Sequence, residues 1–222
     1  MQFVCWLWRG RGFWKDTAAY DASHVAVLAS MLRRHGGHKL TCIHDGSFTM
    51  PEGVEGLQMP AIVAALPDYL PKLWTWSPEL HERIGERFAS IDLDVVLLGD
   101  VAPLLTGPEP ARLWDEARLE PYNTSLLVVE PGFGHAVWES YSPQALASAR
   151  RTAAYWTGDQ SWVAHVLGPG RATFGQRDGI YRYRGSLHQQ AAPAGALAMF
   201  FCGPMCPRTE GKKSEWVKQA WR

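Results

Sequence analysis

Two aspartates, one residue apart, are the side chains in this sequence best suited to chemistry. The run Ser90-Ile91-Asp92-Leu93-Asp94-Val95-Val96-Leu97-Leu98-Gly99-Asp100 sets Asp92 and Asp94 into a stretch that otherwise reads as a buried strand. Residues two apart in a strand point to the same face. Two carboxylates so placed repel, and one must hold a proton unless a cation is bound. A hard divalent cation such as Mg²⁺ or Mn²⁺ removes that conflict, and such ions also bridge phosphate oxygens, which suggests a diphosphate ligand. The competing reading is a solvated pair at a strand-to-turn junction. The apolar strand around the pair favours a ligand site, because open α/β sheets bind ligands beyond the carboxyl ends of their strands. Both readings stand at this point.

The elements that must position this pair follow from hydrophobic spacing. Ala89 to Leu98 reads as one central strand, covered on both faces. Phe3 to Trp8 reads as a buried strand, followed by a loop from Arg9 to Tyr20. Asp21 is suited to cap a helix in which Val25, Leu28, Ala29 and Leu32 recur at helical spacing, with Gly36-Gly37 ending it. Leu40 to His44 makes a second strand, closed by Asp45-Gly46. This strand–helix–strand unit predicts a parallel sheet with a right-handed crossover. Residues 46 to 68 read as loop. Leu70 to Trp76, Pro78 to Phe88, Val101 to Leu105, His135 to Tyr141, Asp159 to Leu167 and Ser214 to Trp221 read as helices or helical turns. Ser125 to Val129 and Ala198 to Cys202 read as strands. The alternation predicts a single α/β domain.

Composition narrows the classes. The 222 residues suffice for one domain with a core, and 46% apolar with 20% charged residues fits a globular chain. Twenty-two basic and 22 acidic side chains cancel, so no global field recruits nucleic acid or an anionic membrane. Two basic clusters remain: Arg33, Arg34, His35, His38 and Lys39, and then Lys212, Lys213, Lys218 and Arg222. Both read first as solvated surface. The 11 tryptophans are either core or platforms for flat ligands. Cys5 and Cys42 lie in strand-like runs and read as core thiols. Cys202 and Cys206 have the spacing of half a zinc site but no evident second half. No basic leader precedes an apolar run, and the uncharged stretch from Gly185 to Pro207 is too rich in proline and glycine for a membrane helix. A reducing cytoplasm is the expected location.

Further segments fall in the order found in GT-A glycosyltransferases, and the sequence resembles the glycogenin-like and family-eight-like bacterial and phage enzymes along nearly its whole length. Leu7-Trp8-Arg9-Gly10 resembles the opening strand and nucleotide loop, and Thr41 to Asp45 the second strand with its acidic end. Pro71-Lys72-Leu73 resembles the "PKL" helix, and Ile91 to Asp100 the metal-motif strand. Asn123-Thr124-Ser125 resembles an "N-S-S" segment, and Gly158-Asp159-Gln160 the "DQ" start of a late helix. Tyr183-Arg184 stands where many relatives have Tyr-Lys. Phe201-Cys202-Gly203 stands at "F-H-G", and Pro204-Met205-Cys206-Pro207 at a "PKP" turn. The resemblance implies a Rossmann-like GT-A domain with a mostly parallel central sheet flanked by helices. Residues 1–105 would form the nucleotide-binding half and 106–222 the acceptor side.

The resemblance also implies roles. Asp92 and Asp94 would hold Mn²⁺ or Mg²⁺. Trp8, Arg9, Asp45, Lys72 and Asp92 would bind the nucleotide-sugar, UDP-glucose being the family default. Asn123, Asp159 and Gln160 would meet sugar hydroxyls near the reacting carbon, in a retaining front-face transfer. Asp159 reads equally well as a helix N-cap. Two departures stand out. Cys202 replaces the histidine that often supplies a third metal ligand, and thiolate is an uncommon partner for Mn²⁺; His188 is a substitute. Cys206 replaces a phosphate-binding lysine, for which Arg208 or Lys212 could stand in.

The acceptor is not legible: a saccharide or glycoconjugate fits, and hydroxymethylated phage DNA is a minority reading allowed by the basic clusters. Two other classes remain, a non-catalytic nucleotide-sugar binder and a zinc-ordered interaction module on Cys202 and Cys206. A P-loop string is absent, which weakens a kinase reading.

Overall fold

A computed structural model describes residues 2–9, 20–116, 121–152, 158–202 and 205–222. Residues 10–19, most of the span that the sequence reads as a loop, lie outside the described residues, as do Gly203 and Pro204. Ten strands occur among those described: β1 (Gln2–Leu7), β2 (Leu40–His44), β3 (Glu55–Gln58), β4 (Phe88–Ile91), β5 (Val95–Leu97), β6 (Ala111–Trp114), β7 (Asn123–Val129), β8 (Ala172–Phe174), β9 (Ile180–Arg182) and β10 (Ala198–Phe200). The helices are α1 (Ala22–Arg34), α2 (Ala61–Ala64), α3 (Pro78–Ile84), α4 (His135–Glu139), α5 (Pro143–Thr152), α6 (Asp159–Leu167), α7 (Pro207–Glu210) and α8 (Glu215–Ala220).

Seven strands form the main sheet in the order β3-β2-β1-β4-β7-β6-β8, and a second sheet has the order β5-β10-β9. Only β7 runs against its neighbours in the main sheet, so the sheet is mostly parallel, as expected. The β1–α1–β2 unit forms as the spacing predicts. Asp21 caps α1, accepting the Ser23 amide at 2.9 Å, while His24 returns a bond to the Asp21 amide at 3.2 Å. Val25, Leu28, Ala29 and Leu32 are all buried.

Alternation along β1 builds two cores. Phe3, Cys5 and Leu7 face α1 and the small sheet, together with Leu40, Cys42, Ile91, Leu126 and Phe200. Val4 and Trp6 face the opposite layer, made of the 3₁₀ segment Leu70–Trp76, α4 and α6. Tyr183, Met199 and Phe201 carry the far side of the small sheet onto Val217 of α8. Tryptophan goes mostly to these cores, and Trp6, Trp74, Trp76, Trp114 and Trp162 are buried. Cys5 and Cys42 are buried and face each other in register, so their reading as core thiols holds.

Several boundaries differ from expectation. The run from Ala89 to Leu98 is two strands in two sheets, because hydrogen bonding changes partner at the aspartates. The Asp92 amide still donates to Ser125 of the main sheet, whereas the Asp94 carbonyl accepts from Phe201 beside β10. Pro78 to Phe88 is helical only to Ile84; Gly85 turns the chain with φ of 74° and Phe88 already begins β4. Residues 46 to 68 hold β3 and α2, and Leu70–Trp76 is a 3₁₀ rather than an α-helix. Strands β6, β8 and β9 and helices α5 and α7 had no sequence signal strong enough to place them. They are three- or four-residue pieces or, in α5, a helix of weak apolar content.

Candidate active site

The carboxyl ends of β2, β1 and β4 lie side by side, because these strands are parallel neighbours. The reversed β7 begins at the same edge, since Ile91 pairs with Leu126 and Asn123 to Ser125 run past it. Asp92 leaves β4 at this edge. Lys72, on the 3₁₀ segment, reaches it from the helical layer, with Nζ 2.7 Å from Asp92 Oδ1. The same ammonium lies 3.8 Å from Asp159 Oδ2 at the start of α6, and donates to the Thr124 carbonyl at 3.4 Å. The Thr124 hydroxyl donates to Asp159 Oδ2 at 2.6 Å. Lys72, Thr124 and Asp159 are all buried. The helix cap before Asp159 is Gly158, so Asp159 is the first helical residue, and its carboxylate turns to Thr124 and Lys72 instead of capping.

Charge in this cluster is controlled by burial and by pairing. Burial works against the charge on Lys72, but Asp92 and Asp159 outweigh it and hold the ammonium more firmly protonated than usual. Burial pushes the Asp159 carboxyl up, and Lys72 and Thr124 pull it back. Asp94 is different. Burial first, then the charge of Asp92, pushes its carboxyl up to about 8. Its Oδ1 is buried without a hydrogen-bond partner among the described residues. A buried acceptor beside a second carboxylate is what a cation would satisfy. The two aspartates therefore fit a hard divalent ion. Among the described residues no three His, Cys, Asp or Glu side chains gather into a cage, so such an ion would need oxygens from a ligand or water.

Cys202 follows β10 and is an electrostatic neighbour of Asp94. Burial, then Asp94, pushes its thiol up to about 12, against the pull of Arg182. It is a neutral thiol at ordinary pH, a poor ligand for Mn²⁺ or Mg²⁺. His188, the proposed substitute, accepts the Arg184 amide at 3.0 Å and packs on Tyr183. Arg208 turns to Asp21, at 3.4 Å. Among the described residues no second half of a zinc site appears: Cys206 bonds Thr209 at 3.3 Å, and all four cysteines are free.

Of the residues expected at the nucleotide, Arg9 and Asp45 also meet. The Arg9 amide donates to Asp45 Oδ2 at 2.8 Å, and Ser47 donates to Oδ1 at 2.9 Å. Burial opposes these bonds, yet together they hold the Asp45 carboxyl below the usual range. The Arg9 guanidinium lies over the Phe48 ring, 5.1 Å from its centroid. Trp8 is half-buried against the helical-layer core, and its indole N–H is buried without a partner among the described residues. Asn123 is buried and its Oδ1 accepts the Ser125 amide at 2.8 Å, which commits that oxygen to the start of β7. Gln160 is half-buried at the second residue of α6.

Sequence reasoning missed three members. Thr124 lay inside a flagged tripeptide but carried no signal of its own. Tyr20 and Tyr69 sense both aspartates: in each, burial and then the charge of Asp94 push the phenol up. Neither lies in a motif.

The backbone superposes on solved structures of one class. A galactosyltransferase, LgtC, solved with donor and acceptor sugar analogues, superposes with a TM-score of 0.64 at 11% identity, covering 100% of this chain and 97% of that one. The chain has a GT-A glycosyltransferase fold. The glycosyltransferase GlyE of Streptococcus pneumoniae TIGR4 superposes with a TM-score of 0.60 at 11% identity over 99% of this chain, which spans 61% of GlyE. No family model matches the sequence, and no curated protein matches it. No described helix is long and apolar enough to cross a membrane.

Proposed function

We propose that this chain is a metal-dependent glycosyltransferase, moving a sugar from a nucleoside-diphosphate-sugar, UDP-sugar being favoured, to an acceptor hydroxyl with retention. The observation that carries this is the cluster of buried Lys72, Thr124 and Asp159 with half-buried Asp92 and Asp94 at the carboxyl edge of a GT-A sheet. Asp92 and Asp94 would hold Mn²⁺ or Mg²⁺, which when bound supplies Lewis acidity to a departing diphosphate. Residues 1–105 would then hold the nucleotide and 106–222 the acceptor.

The chain's own groups have separable tasks. Lys72 is a fixed, desolvated positive charge at the place where a diphosphate would gain negative charge. It also keeps Asp92 aligned through the 2.7 Å contact. Asp159 is held by Thr124, so its carboxylate presents one orientation to a sugar hydroxyl. Gln160, next along α6, offers an uncharged amide. Asp45, fixed by two backbone amides, is set to accept from a ribose or base. A saccharide or glycoconjugate is the favoured acceptor.

A thermal-shift screen of nucleotide-sugars with and without Mn²⁺ tests this. Ligands that bind only the folded state raise the melting temperature by mass action. One UDP- or GDP-sugar should shift the wild type only with Mn²⁺, and the shift should vanish in Asp92→Asn/Asp94→Asn. No shift with any donor would remove the reading. A shift without sugar transfer to any hydroxyl acceptor would favour a non-catalytic nucleotide-sugar binder.

A further inference from the structure

The two basic clusters, far apart in sequence, meet in the fold. Arg34, in the last turn of α1, donates to the Ala220 carbonyl at 2.6 Å and to the Arg222 carbonyl, which fastens the end of α8 to the end of α1. At the other end of α1, Arg208 of α7 reaches the cap residue Asp21 at 3.4 Å and lies over the Trp221 ring, 5.9 Å from its centroid. Helices α7 and α8 thus lie against α1, and a groove of about 750 Å³ opens along them.

Its walls carry Arg208, Lys212, Lys213 and Lys218, against the single acid Glu215. Nearby acids offset these cations incompletely. Glu210 takes Lys213 at 3.2 Å. Glu215 stands 3.7 Å from Lys218, with both ends well exposed, a contact of little strength. Lys212 makes no ion pair among the described residues. Arg34 adds charge at the end of α8, outside the groove wall. In a chain of zero formal net charge, such a face is a local excess that attracts anions.

We propose that this groove is a second anion site, which takes a soluble ligand bearing clustered phosphates, of the size of a short polyphosphate. Several cations converging on one concavity suit a multiply charged phosphate better than a single carboxylate. A membrane surface is disfavoured, because the large apolar side chains exposed among the described residues are Ile62, Tyr69 and Leu187, none of them on α7 or α8. The proposal does not rest on glycosyl transfer, since no wall of the groove includes Asp92, Asp94, Lys72 or Asp159.

Calorimetric titration with tripolyphosphate and with glucose 6-phosphate, in the presence of EDTA, tests it. Tripolyphosphate should bind, more weakly as salt rises, and glucose 6-phosphate, with its single phosphate, should bind less tightly. Lys212→Ala/Lys218→Ala should lose at least ten-fold in affinity, and Asp92→Asn/Asp94→Asn should not change it. Both lysines are on the surface, so the variant is expected to fold; an unchanged melting temperature checks this. No heat with either anion, or binding indifferent to the lysine substitutions, overturns the site. Binding of duplex DNA without either small anion would overturn it too, in favour of a nucleic-acid face.

Discussion

At Asp94 the fold holds a proton that an unfolded chain would release. The free side chain titrates near 3.8, and burial with the charge of Asp92 moves it to about 8. A raised pKa favours the folded state fully below the unfolded value, and the contribution is lost as pH climbs through the folded one. In EDTA, the melting temperature should therefore fall between pH 6 and pH 9. Asp94→Asn should flatten that slope, and a wild-type profile already flat would contradict the buried placement. Thr124 makes a second test. Thr124→Val removes the donor to a buried carboxylate and should cost about 1 to 3 kcal/mol of stability by chemical denaturation. If Asp159 serves the sugar, transfer should also fall, on the order of ten-fold or more in kcat with little change in donor KM. Thr124→Ser should recover both. Of this site, Asp92 and Asp94 were legible because charged residues in an apolar run stand out, whereas Lys72 and Asp159 were legible only through the resemblance of their short motifs. Thr124, Tyr20 and Tyr69 were not, because a hydroxyl at the start of a strand or before a helix looks the same whether or not it faces a carboxylate.

At the scale of elements, local signals served well where an element carries its own cap and period. Asp21, the apolar spacing behind it and Gly36-Gly37 defined α1 to within a residue. The main-sheet strands β6 and β8 escaped notice, because four and three residues cannot display a period and their pairing lies with distant segments. The strand through the aspartates was misread for another reason: apolar residues continue on both sides of the pair, with Phe88, Ala89 and Ile91 before it and Val95 to Leu98 after it, while the change of hydrogen-bond partner leaves no compositional trace. Packing between elements yields a further prediction. Gly134 caps α4 with φ of 78°, and a Cβ there would come 2.5 Å from Cε3 of Trp76. Gly134→Ala combines a left-handed backbone with a clash against a buried ring. It should destabilise by roughly 2 to 4 kcal/mol in urea unfolding. A loss below about 0.5 kcal/mol, the level of an ordinary surface change, would show that α4 does not press on the 3₁₀ segment.

For the molecule as a whole, the question is what ties the two sheets together. Arg182 of β9 meets both oxygens of Glu116, just after β6, at 3.0 and 3.3 Å, with little of either side chain exposed. Trp114 and Phe200 add a ring contact between the sheets, with centroids 4.8 Å apart. Glu116→Gln leaves the guanidinium half-buried with a weaker partner, and should cost about 1 to 3 kcal/mol. Arg182→Met/Glu116→Gln should recover part of that loss, and a double variant worse than the sum of the singles would show that the pair is not a unit.

The crossing of the chain from one sheet to the other at Asp92 to Asp94 has a mechanical consequence. One carboxylate belongs to each sheet, with the single residue Leu93 between them. Anything that grips both oxygens acts as a rivet through a seam, and any slippage of the seam changes the grip. Amides of β5 and β10 should then exchange with deuterium more slowly when the pair is occupied, while those of β3, at the far edge of the main sheet, keep their free-state rates.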